Sequence, residues 1–334
     1  MDRRKFLNIG AEAALATGIA GMLPECATAA AGAKAAAAGT PESLSAGQAA
    51  ANISGPVHLK EGEEDASPLH MRFLGTGAAD WNGRDERGEL RRLSSVLLDS
   101  KVLIDFTPTD EDMLPKGAKP EVIFYTHSHG DHYNPAAALR LGLRKIYLGS
   151  SWIARAKADF EKASEETGIK IPEIVPLSPG DKVTICGMTL TALPANHATG
   201  DLKEQTMMYL IEKQEVRVLY ATDTGGIPAI AARLVGIDPH AKGKAITGLV
   251  MEATMGMGTE GDEDFRIFTH SSVRTVERTV HMLLREKRYI PREGQKVYLT
   301  HLARTLHGTQ AELDATLPPP LKAAYDGLEV TFKA

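Results

Sequence analysis

Cysteine is nearly absent from this 334-residue chain: only Cys26 and Cys186 occur, too few for a disulfide framework or a cysteine-rich zinc site. Any metal must be held by histidine and carboxylate. An excess of positive charge is missing too. With 38 Lys and Arg against 43 Asp and Glu, the formal net charge is −5, which argues against a broad basic face for nucleic acid or anionic lipid. No apolar run is long enough for a bilayer core of ~30 Å, since the weakly apolar stretch from Ile9 to Leu23 is short and carries Glu12. Nor does the chain contain a phosphate-cradling P-loop, a dinucleotide fingerprint or a Gly-x-Ser-x-Gly nucleophile turn. What is present is ordinary globular usage, 43% hydrophobic and 24% charged, together with eleven histidines whose clustering matters more than their number.

The first residues read as an address rather than as part of a fold. Asp2-Arg3-Arg4-Lys5-Phe6-Leu7 sets paired arginines ahead of the weakly apolar run, and Ala27-Thr28-Ala29 offers a small-residue cleavage site. Residues 1–29 thus resemble a twin-arginine signal peptide, so the expected partner during export is the twin-arginine translocase and the expected location is the periplasm or another compartment reached by that export route. Leu23-Pro24-Glu25-Cys26 is the competing lipid-anchor reading, disfavoured by its Pro and Glu. Residues 30–67 are Ala, Gly, Ser, Pro and Glu with hardly a large apolar side chain, and are expected to form a disordered linker. That leaves 68–334 as one domain.

Within it, twelve short runs rich in β-branched and aromatic residues, from Met71–Gly75 to Leu328–Phe332, alternate with helical periodicity in Ser151–Glu166, Ile227–Leu234 and Ser272–Glu286. The expected class is α/β, with helices covering many-stranded sheets. The chemistry begins where the apolar run Val122–Thr126 passes into His127-Ser128-His129-Gly130-Asp131-His132, four ligand-type side chains within six residues. Strand alternation would send His127 and His129 to one side, and Gly130 would turn the chain so that Asp131 and His132 face a second position. His197, Asp223 and His301 each follow a predicted strand, where loops at one sheet edge can converge.

This His-x-His-x-Asp-His segment resembles the metallo-β-lactamase superfamily. The resemblance extends from Met71 to Thr331 through Phe73-Leu74-Gly75-Thr76-Gly77, Arg91–Leu98 with Leu103-Ile104-Asp105, Pro194-Ala195-Asn196-His197, Tyr220-Ala221-Thr222-Asp223-Thr224 and Tyr298-Leu299-Thr300-His301. It implies a four-layer αββα sandwich. It also implies two divalent ions, Zn²⁺ first and Mn²⁺ or Fe next, with His127, His129 and His197 on one, Asp131, His132 and His301 on the other, and Asp223 bridging. His307 competes with His301 but lies farther from a strand end. Val250-Met251-Glu252-Ala253-Thr254 and Thr269-His270-Ser271-Ser272 are similar to elements of the tRNA 3′-end processing endonucleases and the related cyclic-phosphate phosphodiesterases.

That branch makes Asp131, Glu252 and His270 the expected catalytic residues, a metal-bound hydroxide the nucleophile and His270, partnered by Glu252, the general acid. The pattern is broken at Met251, where the endonucleases often carry His, and at Arg304, where the phosphodiesterases often carry a second His. Arg304 is instead expected to bind substrate phosphate. The expected function is an exported binuclear phosphodiesterase acting on small or cyclic phosphate esters, with a small-molecule substrate, no nucleic acid, and a homo-oligomer left open. The alternatives are a lactone, amide or thioester hydrolase of the same fold, a redox or cofactor-biosynthesis metalloprotein, or a non-catalytic metal-binding module.

A translocase that reads the guanidinium pair geometrically should reject lysine at both positions. Arg3→Lys with Arg4→Lys is expected to strand the protein in the cytoplasm with its charge unchanged, as fractionation would show. Undiminished export of the double variant would remove the twin-arginine reading.

Overall fold

The computed structural model describes residues 55–240, 243–259 and 264–334; the signal segment, Cys26 and most of the expected linker lie outside the described residues. Among these residues the chain builds two large sheets. The first runs in the order β1 (His58–Glu61), β8 (Lys182–Ile185), β9 (Met188–Pro194), β10 (Met207–Lys213), β11 (Val216–Ala221), β12 (Gly248–Glu252), β13 (Val297–Thr300) and β14 (Leu321–Ala323). The second runs β15 (Glu329–Phe332), β2 (Leu69–Gly75), β3 (Ser95–Leu98), β4 (Val102–Ile104), β5 (Val122–Phe124), β6 (Lys145–Gly149) and β7 (Glu173–Leu177). Five α-helices accompany them: α1 (Pro135–Arg140), α2 (Ile153–Thr167), α3 (Ala229–Val235), α4 (Val273–Arg285) and α5 (Gln310–Thr316).

The period-2 geometry of a strand sorts these side chains into three apolar layers. Phe73, Val96, Leu98, Ile104 and Phe124 point between the sheets and meet Ile185, Leu190, Tyr209, Ile211 and Val218 of the other sheet. Their sequence neighbours Leu74, Leu97, Leu103 and Ile123 point outward onto α1 and α2 through Ala138, Leu139, Ala156 and Phe160. On the far side Met208, Leu210, Leu219, Leu249 and Met251 pack against Ala231, Val276, Val280 and Leu283 of α3 and α4. Helix, sheet, sheet, helix is the αββα sandwich that the motif order implied. Strands covered on both faces read as continuous apolar runs, which is why they were visible in the sequence.

Helix ends are set locally. Ser272 caps α4 by accepting from the Thr275 N–H at 3.0 Å, and Thr309 with Glu312 forms a reciprocal capping box on α5. Three strands and two short helices escaped the periodicity, namely β1, β7, β14, α1 and α5. β1 and β7 are edge strands, exposed or partly exposed, so neither carries a full apolar run.

β1 corrects the expected linker boundary. His58–Glu61 pairs in parallel with Lys182–Ile185, so the folded chain begins ahead of Pro68. Side chains outside the strand extend the attachment: Glu64 accepts from Thr189 Oγ1 and from the Gln214 N–H, both at 2.8 Å, and the buried ammonium of Lys213 donates to Ser67 Oγ at 2.8 Å and Asp99 Oδ2 at 2.7 Å. Such a segment is invisible to a search for large apolar residues because polar groups hold it.

Removing residues before Pro68 strips β1 and leaves Lys213 buried with fewer partners, a loss of ~1–3 kcal/mol. A chain starting at Pro68 is expected to melt about 3–8 °C below one starting at Gly55. Equal midpoints in a thermal scan would return residues 55–67 to linker status.

Candidate metal centre

Five strands end at one edge of the sandwich. β11, β12 and β13 are parallel neighbours, and β9 runs with them because β10 is antiparallel to both β9 and β11. Their C-terminal ends deliver His197, Asp223, Glu252 and His301, while β5 of the other sheet delivers Thr126 to His132. Loops at the carboxyl ends of strands are where ligands can be gathered from distant parts of a chain. Two of these residues, Asp223 and His301, together with Asp105 at the end of β4, hold left-handed backbone with φ of 45°, 54° and 56°. For non-glycine residues this costs ~1–3 kcal/mol each, and the fully buried strands behind them hold it in place.

Two groups of donors result. His127 Nε2 lies 3.0 Å from His129 Nδ1, and His197 Nε2 lies 3.2 Å from the same atom. Asp131 Oδ2 lies 3.4 Å from His132 Nε2 and 3.3 Å from His301 Nε2. Asp223 stands between: its Oδ2 is 2.8 Å from His132 Nε2 and 3.2 Å from His301 Nε2, while its Oδ1 is 3.8 Å from His197 Nε2. The structure therefore gathers all seven residues expected as ligands, in the two expected sets, with Asp223 facing both.

The chemistry of this set suits divalent cations. Asp105, Asp131, Asp223 and Glu252 are paired, among the described residues, only with histidines and with hydroxyl or backbone donors; no lysine or arginine reaches them. His132 Nε2 is buried beside two carboxylates yet outside hydrogen-bond geometry. Burial pushes His127 well down and His197 down, keeping these imidazoles neutral. Burial also opposes ionisation of Asp131 and Asp223, but His132 and His301 outweigh it and hold both carboxyls well below the usual range. Imidazole nitrogens and ionised carboxylates converging at these distances are the donor set that Zn²⁺, Mn²⁺ or Fe takes.

The supporting shell was mostly missed in the sequence. Asp105, fully buried, accepts from His132 Nδ1 at 2.8 Å and from the Thr126 N–H and Oγ1 at 2.8 and 2.7 Å. This leaves Nε2 of His132 for the site. Glu204 accepts from Ser128 N–H at 2.8 Å and Ser128 Oγ at 2.5 Å, fixing the loop between His127 and His129. That loop, rather than strand alternation, sets their positions, since β5 ends at Phe124. Gly130 also plays a different part from the expected one: its φ is not positive and a Cβ there would meet nothing, because the turn closes by His132 and Tyr133 N–H donating to the His129 carbonyl. Gly225 is the glycine that matters, since a Cβ would lie 2.8 Å from Asn196 Nδ2 and 3.4 Å from the His270 nitrogen.

Glu252 and His270 meet as expected. His270 Nδ1 is 3.1 Å from Glu252 Oε1, whose carboxylate also accepts from the N–H groups of Thr224 and Thr254. Thr254 ties this pair to the metal ligands: its hydroxyl lies 2.5 Å from Glu252 Oε2, 3.2 Å from His270 Nδ1 and 2.8 Å from His301 Nδ1. Donating to the carboxylate, it accepts from His301 Nδ1–H and so directs the Nε2 lone pair of His301 to the site.

Arg304 is a correction. Its guanidinium is bonded to Asn82 Oδ1 at 2.9 Å and reaches the Arg84 carbonyl, and it does not line the cavity of about 340 Å³ over the donors. The arginine that does is Arg266. His307 Nε2–H donates to the Ala253 carbonyl, 2.6 Å away, leaving His301 as the ligand-facing histidine. A larger concavity of about 710 Å³ at the opposite edge, around Lys213, Asp99 and Cys186, is remote from all this chemistry.

Residues 101–241 match the Beta-lactamase superfamily domain. Residues 101–241 thus resemble that superfamily's domain, and the paired sheets match the αββα sandwich of its fold. Similar solved structures include a new diphosphatase from the PhnP family (20% identity, TM-score 0.53, covering 79% of this chain and 98% of that one). Human tRNase Z, short form, is 17% identical with TM-score 0.54, over 79% of this chain and all of that one. Zn²⁺-bound PqqB from Methylobacterium extorquens is 16% identical with TM-score 0.55, over 78% and 99%. At these identities the likeness is one of fold. No curated protein matches the chain.

If Thr254 orients His301, Thr254→Val should weaken the ion held by Asp131, His132 and His301 about 10–100-fold in chelator competition, and Thr254→Ser should retain it. Equal affinity in the valine variant and the parent would show that the hydroxyl does not orient the ligand.

Proposed function

We propose that this chain is an exported binuclear metal-dependent hydrolase that cleaves small or cyclic phosphodiesters. The observation that carries the reading is His270, which lines the cavity over the metal donors and is joined at 3.1 Å to the buried carboxylate of Glu252. Divalent cations bound there would supply Lewis acidity, polarising a phosphoryl oxygen and making water nucleophilic at neutral pH. The protein's own groups do the rest. Asp131 lines the cavity and orients the attacking water. His270 donates from Nδ1 to Glu252, so Nε2 is the nitrogen that faces the substrate.

Burial alone would lower the His270 pKa, but Glu252 first, then Asp223 and Asp131, raise it to about 9. Cations in the site would draw it down again toward neutrality, where a general acid works best. The acid is needed because an alkoxide leaves poorly without a proton, whereas a lactone, amide or thioester hydrolase of the same fold does not require this pair. A diphosphatase and a tRNase among the structural neighbours agree with phosphate-ester chemistry. The net charge of −5 and a cavity of about 340 Å³ favour a small ester over a nucleic acid. Export rests on Arg3-Arg4-Lys5-Phe6-Leu7 and on the cleavage pattern ending at Ala29.

His270→Ala is expected to lose about 10²–10⁴ in kcat/KM on a diester with an alkyl leaving group and much less on a nitrophenyl diester, with Glu252→Gln following in the same direction. Equal losses on both substrates would assign His270 to positioning and remove the general-acid step.

A further inference from the structure

The rim of the cavity carries a feature that the hydrolytic step does not use. Three large apolar side chains stand out from one short 3-10 turn, Phe265–Phe268: Phe265 is 73% exposed, Ile267 48% and Phe268 77%. Single exposed apolar residues are common, but three on four consecutive positions, the first of them lining the cavity, mark a contact surface. The turn is built to hold them there. Asp264 accepts from the Arg266 N–H at 2.9 Å and from its Nη1 at 2.7 Å, and the Arg266 carbonyl accepts from the N–H groups of Thr269 and His270 at 3.1 and 2.8 Å. Asn196, beside His197, donates to the Phe268 carbonyl at 3.5 Å. The backbone that positions the general acid therefore also presents the aromatic ring.

Phe265 and Arg266 both line the cavity, whose remaining wall away from the metal donors includes the small side chains Ala78, Ala79 and Ala198. A ring on one side and methyl groups elsewhere leave room for a flat group. The Arg266 guanidinium lies 5.5 Å from the Phe265 ring centre and is the one arginine or lysine among the described residues lining this cavity, so the apolar wall has a cation attached to it. Asp80, the acidic residue of the same lining outside the metal donors, is occupied by N–H groups of Arg304 and Thr305.

We propose that Phe265 and Arg266 form a subsite for an aromatic or similarly flat apolar alcohol of an anionic phosphate ester, the ring stacking on Phe265 and the anion drawn by Arg266. This rests on the phosphate-ester reading above and names the class of ester. Its position on the turn that carries His270 places that group beside the general acid.

The test uses metal-loaded full-length protein and two probes that are not hydrolysed, phenylphosphonate and methylphosphonate, with affinities from calorimetry. Phenylphosphonate should bind more tightly, and Phe265→Ala should shrink the preference about 3–10-fold while Phe265→Tyr retains it. Arg266→Gln should weaken both probes by a common factor. Turnover of bis(p-nitrophenyl) phosphate is measured separately. No turnover, with a phenyl preference that disappears in Phe265→Ala, would sink the phosphodiesterase reading and leave the subsite standing. Turnover with no phenyl preference, or with a preference unchanged in Phe265→Ala, would overturn the subsite. So would a change in sedimentation state of Phe265→Ala with the preference intact, which would make this rim a contact between copies of the chain.

Discussion

Four carboxylates, Asp105, Asp131, Asp223 and Glu252, converge at one edge of the sandwich, three of them buried and Asp131 partly so, and no arginine or lysine among the described residues compensates them. Buried charge without a partner is among the most costly arrangements a protein can hold. Histidines, with hydroxyl and backbone donors, answer it here, and His132 and His301 each have one ring nitrogen committed to a supporting group and one directed inward, His132 between Asp105 and Asp223 and His301 between Thr254 and Asp131. The tautomers, the convergence of lone pairs and the suitability of the site for divalent cations all follow from that compensation.

The sandwich makes this arrangement sustainable. Three apolar layers bury both faces of the central strands, so the strand ends can carry left-handed aspartate and histidine residues without losing register. Cross-ties between loops complete the frame. Trp81 donates to the Leu302 carbonyl at 2.8 Å just beyond His301, and Ser271 Oγ donates to the Thr224 carbonyl just beyond Asp223. Loops from remote parts of the sequence are thereby tied to one another, as oriented catalysis demands.

The rim has a different logic from the floor. The donors are fixed by electrostatics and burial, whereas the Phe265–Phe268 turn is fixed by backbone hydrogen bonds that leave its side chains in solvent. The candidate ion donors sit on the rigid edge of the sheets, whereas the proposed subsite falls on a short segment between β12 and α4, where substitution would not disturb the core.

The strands and the candidate donors were legible in the sequence itself, and the sandwich through the family that the order of motifs resembles. Strands buried on both faces leave unbroken apolar runs, and His127, His129, Asp131 and His132 fall within six residues, so both signals are local. His197, Asp223, Glu252, His270 and His301 were legible because each stands just past a strand or ahead of a helix in a recognisable order. The tertiary structure decided what depended on contacts between distant residues. It placed Asp105 behind His132 and Glu204 behind Ser128, residues 27 and 76 positions apart. It tied His58–Glu61 into the first sheet through polar pairing that composition had marked as linker. It also turned Arg304 to Asn82 and Arg266 to the cavity, a choice no spacing rule encodes, because the direction of a long cationic side chain is set by the acceptors that folding happens to bring within reach.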